Sequence, residues 1–190
     1  MDTPPPMEEI RQLYNKMWLS AGFSTKEDED RVKEETWAWF KEYLEKIALN
    51  PFIKADKIEL YFQFPIKGKL VVNGFIDRID KLENGKYEII DYKTETSMRT
   101  QEDVDEDMQL TAYFWACSKL GYDVEKMSLH FNRFQKNIST TRTSEDIEKF
   151  ENEILEWYSK IENETEYKPS ENKYCDNCDF RPECPIFADK

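Results

Sequence analysis

Hydrophobic residues recur at helical spacing in four segments of the chain. Apolar positions three and four residues apart predict an amphipathic helix whose apolar side faces a core. The longest such segment is residues 26–49, followed by Pro51, which cannot continue a helix. Its apolar stripe consists of Val32, Trp37, Phe40, Leu44 and Ile47. The other predicted helices are residues 8–20, residues 102–120 before Gly121, and residues 144–163 after a capping-box sequence at Thr143.

Between these helices, apolar and polar residues alternate with the period of two that is typical of β-strands. The predicted strands are residues 57–66, 68–81, 86–93 and 126–133. Asn84-Gly85 separates the second strand from the third, and this pair is the strongest short-range signal for a β-hairpin. The order of elements is two helices, three strands, a helix, a strand and a helix. It predicts an α/β domain with helices on the faces of a sheet.

The composition agrees with one folded domain. The chain has 190 residues, of which 39% are hydrophobic and 14% aromatic, enough for a core and too many for a disordered chain. No apolar run approaches the roughly 20 residues that span a bilayer. The N-terminus has no signal-peptide pattern. We therefore expect a soluble, cytoplasmic protein with no membrane partner.

The net charge of −13 bears on the partners of the protein. Taken alone, it argues against nucleic acid, because phosphate groups attract cations. Two alternatives stay open. Either a basic surface is local, or other domains or subunits hold the nucleic acid.

Asp77, Asp91 and Lys93 lie in strand segments where valine and isoleucine would be ordinary. Because strand side chains alternate, Asp91 and Lys93 point to one face and Tyr92 to the other. The hairpin brings the strand of Asp77 beside that of Asp91, so the two carboxylates converge. A divalent cation such as Mg²⁺ relieves their repulsion, activates water and stabilises charge on a phosphoryl group. Lys93 can orient that water. The alternative is that Asp91 and Lys93 are solvated residues at a strand end.

Four stretches in a fixed order carry a family resemblance. They are Glu59, GFIDRID at 74–80, IIDYKT at 89–94 and QLTAY at 109–113. Together they resemble the PD-(D/E)XK nuclease superfamily, and they are most similar to its RecB-like branch. That branch includes nuclease domains of AddAB-type helicase-nucleases, CRISPR-associated exonucleases and domains at the C-terminus of UvrD-type helicases. The resemblance spans about residues 18–187. It implies a restriction-endonuclease-like α/β fold, a mixed central sheet flanked by helices, with a C-terminal Cys-rich segment.

The resemblance also implies a role for each matching residue. Asp77 and Asp91 would bind Mg²⁺ or Mn²⁺, together with the backbone carbonyl of Tyr92. Lys93 would assist the attacking water. The other implied site residues are Glu59, an acidic residue near the metals, and Gln109 and Tyr113, which share one helix face and would contact DNA.

One feature of the family pattern is missing. Many members have a histidine metal ligand on a helix upstream of the first strand, whereas the only histidine here is His130, downstream. We interpret His130 as a structural strand residue. The region from Trp18 onward resembles the part of the family that follows that histidine. We therefore expect either the C-terminal part of a longer helicase-nuclease or a naturally shortened form.

Cys175, Cys178 and Cys184 are spaced C-x2-C-x5-C-P. Thiolates this close converge on one metal or cluster. Four cysteines usually hold an Fe–S cluster, and zinc accepts three cysteines plus another ligand. The pattern is similar to the C-terminal iron–sulfur staple of the same branch, whose fourth cysteine precedes the nuclease motifs. No cysteine precedes Cys117, which we interpret as a small core residue. The predicted cofactor is thus a 4Fe–4S cluster without an evident fourth ligand, or Zn²⁺.

Two further stretches allow a functional and a structural interpretation. Trp37, Trp39 and Phe40 could form a stacking platform for single-stranded bases. Their amphipathic helix favours core packing instead. The acidic residues 100–109 could bind metal, but acidic residues also favour helix N-termini, and we favour a solvated helix start.

The chain is predicted to consist of an N-terminal helical segment at 1–56, a nuclease core at 57–165 and a Cys segment at 166–190. The leading hypothesis is a metal-dependent, exonuclease-like DNA nuclease for repair or recombination, acting on single strands or ends beside a helicase domain or subunit. Two alternatives stay open. One is a nuclease-fold module that binds DNA or a partner without useful catalysis. The other is a metal-dependent hydrolase of a non-nucleic substrate.

Overall fold

The computed structural model describes residues 5–49 and 55–187. They belong to two compact units, Met1–Glu151 and Asn152–Lys190. Pro51 lies outside the described residues, as does the side chain of Ile47 in the predicted apolar stripe. Among the helices within the described ranges, none is both long enough and apolar enough to cross a membrane.

A five-stranded mixed sheet forms the centre of the first unit. Its strands are β1 (Ala55–Ile66), β2 (Leu70–Lys81), β3 (Tyr87–Lys93), β4 (Val124–Phe131) and β5 (Lys136–Thr140). They lie side by side in chain order, and only β3 and β4 are parallel. A parallel pair needs a crossover connection, which the helices between β3 and β4 supply. The arrangement confirms the predicted α/β fold, a mixed central sheet flanked by helices.

The helices are α1 (Met7–Met17), α2 (Lys26–Leu49), α3 (Gln101–Asp105), α4 (Met108–Leu120) and α5 (Ser144–Asn163). Aromatic rings join α1 to α2. The ring centroids of Tyr14 and Trp37 are 5.3 Å apart, and the Tyr14 hydroxyl donates to the Lys33 carbonyl oxygen at 2.7 Å. Trp37 therefore packs between helices, in line with the structural interpretation of that residue.

Helix α4 covers β1 in the core. Tyr113 meets Phe62 and Trp115 meets Phe64 edge to face, with ring centroids 6.2 and 6.0 Å apart. Cys117, on the same helix, is fully buried, which confirms it as a core residue. Burial raises the pKa of its thiol to about 12, so the reactive thiolate is scarce at neutral pH.

Two elements differ from the prediction. The helix expected at 102–120 is two helices, α3 and α4, because the Asp107 carboxylate accepts the backbone N–H of Leu110 at 2.8 Å and starts a new helix. Thr100 and Asp103 likewise form a capping box at the start of α3, so the acidic stretch does begin helices, as expected. Strand β5 was not predicted, since its sequence KNIST lacks apolar alternation. It is a strand because it pairs with β4.

The second unit contains the C-terminal part of α5 and two short 3₁₀ turns, Cys175–Asn177 and Arg181–Glu183. Backbone hydrogen bonds close each turn. The N–H of Cys178 donates to the carbonyl of Cys175, and that of Cys184 to the carbonyl of Arg181, both at 3.3 Å. The Cys-rich segment is thus a series of tight turns.

Candidate active site

The antiparallel pairing of β2 with β3 brings Asp77 beside Asp91. In this ladder Arg78 pairs with Ile90. Asp77 precedes Arg78 and Asp91 follows Ile90, so Asp77 and Asp91 lie opposite each other in this antiparallel pair. A hydrogen bond fixes the contact, because the backbone N–H of Tyr92 donates to Asp77 Oδ2 at 2.9 Å. The two carboxylates come together as the hairpin predicted.

Asp91 is almost fully buried, with only 2% of its surface exposed. Lys93 Nζ lies 2.7 Å from Asp91 Oδ2. That oxygen nevertheless has no aligned hydrogen-bond donor among the described residues. The ammonium of Lys93 lies between Asp91 and Gln109, and it donates to Gln109 Oε1 at 2.7 Å. A buried carboxylate oxygen is thus held next to a cation while one of its lone pairs stays available.

Helix α4 contributes two polar side chains next to Lys93. Gln109 Nε2 donates to the Tyr113 hydroxyl at 2.8 Å, so Lys93, Gln109 and Tyr113 form a chain of hydrogen bonds. Burial and then the nearby Asp91 charge raise the pKa of the Tyr113 phenol. The hydroxyl therefore keeps its proton at neutral pH. The i, i+4 pair predicted on α4 does face the carboxylates.

Tyr92 points to the opposite face of the sheet, as strand alternation requires. Its hydroxyl lies 3.4 Å from both the Tyr43 hydroxyl on α2 and Arg78 Nη1. Its backbone stays at the carboxylates through the bond to Asp77. Tyr92 therefore connects the two faces of the sheet at the end of β3.

Glu59 lies on β1 at the level of Asp77, since its neighbours Ile58 and Leu60 pair with Arg78 and Ile76. Its side chain is exposed, and its φ of 50° is in the left-handed region. A non-glycine residue in that region costs about 1–3 kcal/mol and is frequent at functional sites. The strand is therefore distorted where the third acidic residue stands.

Asp107 belongs to the acidic stretch that we interpreted as a solvated helix start, but only 9% of its side chain is exposed. It caps α4, and its Oδ2 lies 2.6 Å from Arg99 Nη1. Its charge also contributes to the raised pKa of Asp91. Its position just before QLTAY, typical of a helix N-cap, was the available signal.

Burial raises the pKa of the Asp91 carboxyl above its ordinary value. The Lys93 ammonium lowers it, while the charges of Asp77 and Asp107 raise it further. The charged form of Asp91 is thus disfavoured in the folded protein. A bound divalent cation would reverse that preference.

This shift predicts a pH-dependent stability in EDTA. A folded-state pKa above the unfolded value adds stability at low pH, and that stability is lost as pH rises through the raised pKa. Relative to Asp91→Asn, the wild-type free energy of unfolding should therefore fall from about pH 4 upward, by roughly 1.4 kcal/mol per unit of pKa difference. Urea denaturation of both proteins at several pH values measures this. A difference between them that does not change with pH would contradict it.

The residues present fit a hydrated Mg²⁺ or Mn²⁺ ion. Mg²⁺ prefers one or two carboxylates and keeps several waters. Asp91 offers a buried oxygen without an aligned donor, and Asp77 offers a second carboxylate. Groups of three or more His, Cys, Asp or Glu side chains placed for a metal ion do not occur in residues 5–49 and 55–187. In those ranges, neither the three C-terminal cysteines nor Glu59 with Asp77 and Asp91 form a three-ligand site, and the cysteine cluster stays a prediction.

His130 is a strand residue, as interpreted from the sequence. It lies on β4, and its Nδ1 is 2.5 Å from Asn137 Oδ1 on β5. Its ring packs against the rings of Tyr43 and Tyr92, with centroids 5.5 and 5.6 Å away. It therefore belongs to the face of the sheet opposite the carboxylates.

Comparison with known proteins agrees with this geometry. A family model described as the PD-(D/E)XK nuclease superfamily matches residues 2–185. The crystal structure of SSO0001 is similar over 95% of this chain and 79% of that chain, at 17% sequence identity and a TM-score of 0.49. No curated protein matches the chain significantly.

Proposed function

The chain belongs to the PD-(D/E)XK nuclease superfamily, and from its site we propose that it is a metal-dependent nuclease that hydrolyses phosphodiester bonds of DNA. One observation carries the proposal. The buried Asp91 carboxylate, the Asp77 carboxylate and the Lys93 ammonium meet at the end of β3. A bare pair of solvated strand-end residues would not be buried in this way.

In this proposal, Asp77, Asp91 and the Tyr92 carbonyl hold Mg²⁺ or Mn²⁺. When bound, the ion lowers the pKa of a water and neutralises charge on the phosphoryl group. The exposed Glu59, level with Asp77, supports the acidic set from β1.

Lys93 is the residue that we propose orients the attacking water and stabilises negative charge as it develops on the phosphate. Its ammonium is already held between Asp91 and Gln109, so it needs little reorganisation. Gln109 fixes the ammonium and Tyr113 fixes Gln109. In hydrolysis the water oxygen bonds to phosphorus, one P–O ester bond breaks, and the water proton ends on solvent or the leaving oxygen. Gln109 and Tyr113 also offer polar groups to the DNA backbone.

The test is degradation of three labelled DNAs by the full chain: linear single strands, linear duplex and closed circles. Each is incubated with Mn²⁺, with Mg²⁺ or with EDTA. We expect loss of the linear DNAs only with a metal, and survival of closed circles if cleavage starts at ends. If none of the three DNAs is degraded with either metal, although isothermal titration shows that Mn²⁺ binds, the nuclease proposal fails.

A second candidate function is a nuclease-fold module that binds DNA or a protein partner without cleaving. The net charge of −13 favours the protein-binding form of this module, because any DNA-binding domain gains affinity from cations. The same assay decides between the two, since this module leaves all three DNAs intact in Mn²⁺.

We propose further that Cys175, Cys178 and Cys184 bind a 4Fe–4S cluster with a fourth ligand, or Zn²⁺. The support is their C-x2-C-x5-C spacing on consecutive tight turns. Metal analysis of the full chain purified without air should find about one zinc or four irons per chain. Protein with neither metal would refute the site.

The biological setting proposed for this activity is processing of DNA ends in repair or recombination, beside a helicase domain or subunit. Its support is the resemblance of the motifs to the RecB-like branch. Association with a helicase is tested by co-purification with the protein at its natural level, and recovery of the chain alone would count against it.

A further inference from the structure

A cavity of about 370 Å³ lies on the face of the sheet opposite the carboxylates, within the range of about 300–1,000 Å³ of small-molecule sites. The residues that line it are Trp39, Phe40 and Tyr43 of α2, Tyr92 of β3, and Asn132 and Gln135 of the turn between β4 and β5. Four aromatic rings and two amides thus surround one opening.

We infer that this cavity, the Trp39 cavity, binds one nucleobase of the single-stranded DNA whose backbone reaches the carboxylates. The inference rests on the proposed nuclease function and names a specific contact for its substrate. Every base has a flat face, and stacking on aromatic side chains holds bases without reading their sequence. Amide side chains next to the rings supply donors and acceptors for the edge of the base.

Unpartnered ring nitrogens distinguish the Trp39 cavity from an ordinary packing gap. Trp39 Nε1 is buried and has no hydrogen-bond partner within the described part of the chain. Nε2 of His130, whose ring packs on both tyrosines of the cavity, also has no partner among these residues, and it is an acceptor because Nδ1 faces Asn137 Oδ1. A buried donor without a partner costs about 1–3 kcal/mol. Trp39, which lines the cavity, thus has an indole N–H without the partner that a buried tryptophan usually has.

Tyr92 belongs to both the Trp39 cavity and the carboxylate site. The phenol ring of that residue lines the cavity. Its backbone N–H donates to Asp77, and its chain neighbours are Asp91 and Lys93. In the proposed complex, a strand that crosses the end of β3 places a phosphate at the carboxylates and a neighbouring base in the cavity.

The turn that closes the cavity also carries positive charge in an otherwise acidic chain. Arg133 is exposed between the two lining amides, and Lys136 is exposed at the first position of β5. Phosphate groups on either side of a bound base would meet these cations. In the proposed complex, these two side chains supply local positive charge.

The backbone of the turn is also distorted at the mouth of the cavity. Gln135 has a φ of 52°, in the left-handed region. Its amide nitrogen donates to the backbone carbonyls of Asn132 at 2.5 Å and Trp39 at 3.4 Å. The strained residue therefore ties the turn to α2 at the mouth of the cavity.

The experiment measures binding of the full chain to two fluorescein-labelled single strands in EDTA, where a metal-dependent enzyme cannot cut. One strand carries bases, and the other has the same length with abasic sites throughout. Wild type should bind the base-containing strand about 5- to 100-fold more tightly. Trp39→Leu should lose most of that preference. The matched control is Trp37→Leu, on the same helix but packed against α1, which should keep it.

A second variant keeps the test decisive if Trp39→Leu does not fold. Gln135→Gly suits the left-handed φ, so it should fold, while it removes the amide from the cavity. It should weaken binding to the base-containing strand several-fold and leave the abasic strand unchanged. Equal wild-type binding to both strands, or an unchanged preference in Gln135→Gly and in folded Trp39→Leu, would overturn the inference.

Hydrolysis measured on the same preparations separates this inference from the proposed function. Hydrolysis in Mn²⁺ without any preference for bases would refute only the Trp39 cavity. A preference for bases without hydrolysis would refute only the nuclease and leave a DNA-binding module.

Discussion

Replacing Asp91 by asparagine is expected to lower the rate of Mn²⁺-dependent DNA hydrolysis at least about 10³-fold. The carboxylate is buried, and one of its oxygens has no aligned donor in the described structure, so asparagine removes a proposed metal ligand without changing the shape of the site. Mn²⁺ affinity should fall together with the rate. Initial rates on labelled single strands and isothermal titration with Mn²⁺ measure the two effects.

Asp80→Asn is the matched control for that prediction. Asp80 is also a buried strand aspartate, 4% exposed, and its Oδ1 accepts from Arg78 Nε at 2.7 Å. Its variant loses a buried carboxylate but none of the proposed metal ligands. Hydrolysis by folded Asp91→Asn at the wild-type rate would place the metal elsewhere or trace the activity to a contaminant.

Replacing Lys93 by glutamine should lower the hydrolysis rate about 10²- to 10⁴-fold while Mn²⁺ still binds. The ammonium would act on the water and phosphate, and it is not a metal ligand. Because Lys93 lowers the pKa of Asp91, its loss should also move the acidic limb of the pH–rate profile to higher pH. Rates between about pH 5 and 9, with titration of Mn²⁺ at each pH, test both expectations.

Lys81→Gln serves as the control here, since it removes an exposed lysine at the end of β2. Lys93→Arg should recover part of the rate, because it restores the positive charge with a different shape. If Lys93→Gln lost Mn²⁺ affinity and rate in the same proportion, the lysine would support the metal site and not the water.

Local features of the site were predictable because they depend on neighbours in the chain. The same-face placement of Asp91 and Lys93 follows from strand alternation, and the pairing of Gln109 with Tyr113 follows from helix periodicity. Both occur in the structure. The Asn84-Gly85 turn likewise predicted that Asp77 lies near Asp91, and the structure agrees.

Features that depend on distant parts of the chain were not predictable in this way. Strand β5 exists because its backbone pairs with β4, which its polar sequence does not reveal. The helix predicted at 102–120 divides because the Asp107 side chain caps a new helix while binding Arg99. That same capping aspartate contributes charge near Asp91.

The sequence by itself determined the α/β class, the order of the elements around the motifs and the family to which the chain belongs. The class, the element order and the family depend on periodicity and on short motifs, which involve only residues close together in the sequence. Only the tertiary structure decided that Asp91 is buried, that one of its oxygens lacks an aligned donor, and that Tyr92 joins the carboxylates to an aromatic cavity. Burial and pKa depend on what other segments bring to a residue, so they exist only after the sheet and helices have packed.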